Sequence, residues 1–183
     1  MKYLQTILLA FIVLLCSNKL ALAVEKASQS SAVLVSKKPE SKLDKRASVI
    51  EAYLKKYDSP LTPNAHTFVT SADKYDLDYR LLVAISGVES TFGKEIPPNS
   101  FNAWGWGIYG DNRINFSSFD GAIETISKAL REQYINKWNA GDVYQIGRIY
   151  AASPTWAQRV DYFMNKIQAF EVNNPDLILP ISL

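Results

Sequence analysis

Apolar residues return every three or four positions in stretch after stretch of this chain, and that spacing is the strongest constraint on its fold. Val49, Ile50, Tyr53, Leu54 and Tyr57 share one helical face, and Ser59-Pro60 stops that helix. Thr62-Pro63 is a cap followed by proline at the first helical position, with Phe68, Val69, Ala72 and Tyr75 as the next stripe. Asp78 opens a third helix with Leu81, Leu82, Ile85 and Val88 inward, and Gly93 is its expected stop. Ser117 or Ser118 caps a long helix with Ile123, Ile126, Leu130 and Tyr134 on one face. Asp142 starts a short helix through Tyr150, and Ser153-Pro154 opens the last, carrying Trp156, Val160, Phe163, Ile167 and Phe170. Residues 95–116 interrupt the pattern with Pro97-Pro98, Gly105, Gly107 and Gly110 among Phe101, Trp104, Trp106 and Tyr109, which predicts a loop with a short β-hairpin. The expectation is a mainly α, single-domain fold over residues 47–172, with a tail at 173–183. The apolar end of that tail either docks onto the domain or binds a partner.

The first 46 residues follow other rules. Lys2, an apolar run over residues 7–16 and Ala21-Leu22-Ala23 have the layout of a secretory signal peptide over residues 1–23. Ten apolar residues are short for a membrane span, so retention as an anchor is the minor alternative. Residues 24–46 lack aromatics and carry six basic against three acidic side chains, the composition of a disordered spacer. Its positive charge would suit anionic envelope polymers, although a merely solvated linker is the simpler reading. Loss of the signal removes two lysines and no acids, so the formal net charge falls from +2 to zero. Charge therefore points to no nucleic-acid partner. It also removes Cys16, the only cysteine, and with it disulfides and thiol chemistry. His66 is the only histidine and has no companion at ligand spacing, so a zinc site or a serine triad has little to build on.

Carboxylate chemistry is what remains. Glu89 stands in Ile85-Ser86-Gly87-Val88-Glu89-Ser90-Thr91-Phe92-Gly93, on the row that holds Leu82 and Ile85. A carboxyl there would be buried, and burial disfavours the charged form. A retained proton is what a general acid needs to release the leaving oxygen of a glycosidic bond. A buried glutamate satisfied by backbone amides or by an arginine is the competing reading. Ser90 beside it could bond substrate or carboxyl. In the loop, Asn102, Trp104, Trp106 and Tyr109 combine aromatic planes for sugar C–H faces with a polar group for a hydroxyl or N-acetyl, unless the tryptophans are simply core.

Glu89-Ser90, the run Asn102-Ala103-Trp104-Gly105-Trp106-Gly107-Ile108, Phe116-Ser117-Ser118-Phe119 and Tyr150-Ala151-Ala152-Ser153-Pro154-Thr155-Trp156 occur in that order. The combination resembles the lysozyme-like superfamily, with bacterial glucosaminidase-like (mannosyl-glycoprotein endo-beta-N-acetylglucosaminidase-like) domains nearest and lytic transglycosylases next. The resemblance covers roughly residues 65–170. It implies a peptidoglycan hydrolase that cleaves β-1,4 bonds between amino sugars, with Glu89 as catalytic acid and Tyr150 in the site. It implies no metal or organic cofactor, a monomer acting on glycan strands, and a secreted or extracytoplasmic location in periplasm or cell wall. Such hydrolases use a second carboxylate. Asp111, just after the aromatic loop, is the best-placed choice, and Glu95 is nearer in sequence. Without one, Glu89 alone could serve as acid and then base in lytic transglycosylation. A non-catalytic wall-binding module is the third reading.

Overall fold

The computed structural model describes residues 44–107 and 114–177. The segments expected to be signal peptide and spacer up to residue 43, Tyr109, Asp111 and the end of the tail lie outside the described residues. Six α-helices lie among the described residues: α1 (Lys45–Lys55), α2 (Ala65–Lys74), α3 (Leu81–Ser90), α4 (Phe119–Ala129), α5 (Val143–Tyr150) and α6 (Trp156–Asn173). A π-helix, Leu130–Lys137, continues α4. Short 3-10 turns at Thr62–Asn64 and Pro175–Leu177 precede α2 and follow α6. The described residues contain no strand, so residues 95–107 and 114–116 run as loop and turns.

The folded region is wider at both ends than the periodicity indicated. Asp44 accepts from the Arg46 N–H at 3.0 Å and starts α1 two residues before Ala47. The Arg46 guanidinium then reaches Asp73 on α2 at 2.7 Å. At the other end α6 runs through Asn173, and Leu177 packs against the core.

Leu-Leu-Val-Ala-Ile is apolar on every face, and a helix of that kind belongs in the centre. Val83, Ala84 and Ile85 are fully buried, with α6 packed along α3. Gly87 permits this approach. A Cβ there would lie 2.7 Å from the Phe92 ring and 3.2 Å from Phe163 of α6. The end of α3 departs from expectation. It stops at Ser90, and Thr91, Phe92 and Gly93 are all left-handed, with φ of 51°, 57° and 81°. The reversal drives Phe92 back into the core between Tyr53, Tyr57 and Phe163. Burial of that ring offsets a backbone cost that glycine alone would avoid. Ser118 and Asp142 cap α4 and α5 by accepting from Gly121 and Gln145 N–H, as residue type predicts.

Candidate active site

The site is built where three segments meet: the end of α3, the aromatic loop, and the turn between α5 and α6. Glu89 follows Ile85 by one turn, but its side chain emerges past the end of the core and is exposed. The described residues therefore do not form the dry niche expected for it, because the left-handed turn ends α3 one residue after Glu89. It is not solvated at random. The Trp156 indole N–H donates to Oε1 at 2.6 Å. Gly105 faces Oε2, where a Cβ would lie 2.9 Å away, and its φ of +60° also favours glycine. None of the ion pairs among the described residues involves Glu89, so it is not locked to an arginine there.

Trp156 is buried, and a buried indole N–H needs an acceptor. Its ring stacks on Tyr150 at 4.7 Å and 23°. The Tyr150 hydroxyl donates to the Trp104 carbonyl at 2.7 Å, tying the turn to the loop. Burial first, then the negative charge of Glu89, push the Tyr150 phenol well above the usual tyrosine range. At neutral pH it is therefore a neutral donor.

Three residues expected to touch substrate are consumed internally. Asn102 is buried. Its amide donates to the Trp106 carbonyl at 2.8 Å and the Ile114 carbonyl at 2.9 Å, and its oxygen accepts from Trp106 N–H at 3.0 Å. Trp104 is wholly buried, with its indole on the Leu82 carbonyl at 2.9 Å. Ser90 is buried too, donating to the Ala103 carbonyl at 2.7 Å and accepting from Gly93 N–H at 2.9 Å. Trp104 and Ser90 pin the loop to α3 and Asn102 ties the loop to itself, since a loop this close to a core must satisfy its own backbone groups. Glu95 is exposed on the turn after α3, where its N–H donates to the Ser90 carbonyl at 3.0 Å.

Trp106 does face outward. It is half-buried in a groove of about 370 Å³ that Gly105, Ile114, Tyr134, Trp138 and Tyr150 also line. Its ring lies 5.7 Å from Tyr150 and 6.0 Å from Tyr134. Periodicity assigned Trp156 and Tyr134 to helix stripes and passed over Trp138. The usable signal was the indole N–H of Trp156, a polar tip on an otherwise apolar face.

This arrangement of helices is shared with a protein of known structure. Two crystal structures of S. aureus autolysin E align with a TM-score of 0.54 and 21% identity over 67% of this chain and 66% of theirs. The chain shares the helical fold of autolysin E. One of those structures is a catalytic glutamate-to-alanine mutant bound to the disaccharide NAG-NAM. The other holds the muropeptide NAM-L-Ala-D-iGlu. The alignment spans a little under two thirds of the autolysin chain, and at this identity it establishes the fold alone. No protein-family model and no curated sequence matches the chain.

Proposed function

We propose that the chain is a peptidoglycan hydrolase of endo-N-acetylglucosaminidase type that cuts β-1,4 bonds of the glycan strand. One observation carries the reading: a carboxyl held by an indole N–H lies against Gly105, which lines an aromatic groove. Pyranose rings would lay their C–H faces on Trp106 and Tyr150. Glu89 would protonate the departing glycosidic oxygen, its proton restricted to one oxygen because Trp156 holds the other. The strand itself would exclude water from this open carboxyl, supplying on binding the dry environment that the described residues do not form. Tyr150 acts through Trp156 and as a neutral wall of the site. Asp111 remains the proposed second carboxylate. The autolysin complexes with peptidoglycan fragments fit this substrate class. The reading places the protein outside the cytoplasm, acting as a monomer. Among the described residues, no helix is long and apolar enough to cross a membrane.

Lytic transglycosylation, in which Glu89 serves as acid and then as base without a second carboxylate, is the second reading. Digestion of purified sacculi followed by mass spectrometry of the muropeptides separates the two. Reducing N-acetylglucosamine ends are expected, and 1,6-anhydro-muramic ends would replace the first reading with the second. A Glu89→Gln variant should lose turnover and keep wall binding. Unchanged turnover in that variant would remove Glu89 from the reaction. Wall binding without any product from the wild type would leave a non-catalytic module.

A further inference from the structure

The groove continues past the residues needed for bond cleavage. From Trp156, which holds Glu89, ring contacts run to Tyr150 at 4.7 Å, to Tyr134 at 6.1 Å and to Trp138 at 5.4 Å. The last two rings come from the π-helix and the residue that ends it. In an α-helix a four-residue step overshoots a full turn by about 40°, so a row of such steps drifts around the axis. The wider π turn takes up that overshoot. Leu130, Tyr134 and Trp138 thus form one row that leaves the core, crosses the groove and reaches its rim. Their burial follows this order. Leu130 is fully buried, Tyr134 is half-buried and Trp138 is 47% exposed. Asn139, left-handed at φ 52°, ends the helix and fixes Trp138 as its last side chain. Exposed Ile114 and Ile149 line the same groove.

We infer that Trp138 is the platform of a distal sugar-binding subsite that makes the protein selective for long glycan strands. The inference rests on the proposed reaction only for the identity of the ligand, a β-1,4-linked amino-sugar chain. Its physical basis is the row of rings. Each step is on the scale of one pyranose, the edge-on contact of Tyr134 with Trp138 leaves the indole free of a parallel stack, and the Lys137 ammonium steadies the ring from 5.5 Å. An exposed indole that ended no such row would be an ordinary surface residue. Here it lines the same groove as Trp106, Tyr134 and Tyr150.

The test is calorimetric titration of the full protein with β-1,4-linked N-acetylglucosamine oligomers of two to six sugars, which carry no peptide. The wild type should bind the hexamer more tightly than the dimer. Trp138→Ala should weaken hexamer binding about three- to tenfold and reduce the gain with length. Trp138→Phe, which keeps an aromatic face, should restore most of it and guards against a folding artefact. An equal gain with length in Trp138→Ala, or none in the wild type, would overturn the subsite. So would tightening seen only with peptide-bearing strands, which would assign Trp138 to the peptide stem. Hexamer binding through Trp138 in a protein that releases no product from sacculi would refute the proposed reaction while leaving the subsite standing.

Discussion

Replacing Trp156 by phenylalanine isolates the contact on which the proposed chemistry depends. The phenyl ring keeps most of the stack on Tyr150 and deletes the N–H that Glu89 accepts at 2.6 Å. Hydrogen bonds to charged groups contribute about 1.5–3 kcal/mol, and the low end applies because water reaches the exposed Glu89 side chain. About 1.5 kcal/mol corresponds to a loss in kcat of roughly tenfold. Shrinking a buried indole also costs stability, about 1–2 kcal/mol, well short of truncation to alanine. Initial rates should therefore be measured on labelled sacculi far below the melting transition of both proteins. The split between kcat and KM distinguishes positioning from damage. The loss should fall on kcat with KM little changed, because the contact positions the reacting carboxyl rather than the strand. A variant with an unchanged kcat, or one whose loss lies wholly in KM, would refute the idea that Trp156 orients the reacting group.

Two further substitutions follow from the same contacts. Tyr150→Phe deletes the bond to the Trp104 carbonyl and should cost about 1 kcal/mol by urea unfolding near neutral pH. The phenol is raised in the folded state above its ordinary value of 10.0, so the unfolded chain loses its proton first. Wild-type stability is thus fully present below about pH 10 and falls above it, and the variant should fall less steeply. Asn102→Ala removes three bonds to loop backbone at once, and should lower the melting temperature by an amount equivalent to about 2–4 kcal/mol. A normal melting temperature with selectively weakened sugar binding would return Asn102 to the ligand.

The helices were legible because burial on one face leaves a spacing in the sequence, and the caps at Ser118 and Asp142 because those side chains compete for backbone amides. The end of α3 was not. Thr91 and Phe92 are poor candidates for a left-handed turn, and only the pocket between α1 and α6 that receives the Phe92 ring makes it worthwhile. That turn decides the exposure of Glu89, so periodicity placed the residue correctly along the helix and wrongly with respect to water. The π-helix was equally hidden, since no residue type marks an i→i+5 bond. Within the aromatic loop, residue type suggested ligand contacts for Asn102, Trp104 and Ser90 alike. A polar group in a tight loop faces two demands, from the backbone and from a ligand, and the backbone demand is unconditional. The structure meets it with those three residues. No buried side-chain polar atom among the described residues lacks a partner. What the loop and its neighbours leave open to solvent is the carboxyl of Glu89, held on one oxygen by Trp156, and the ring faces that line the groove, and these are the groups that the proposed reaction assigns to a glycan strand.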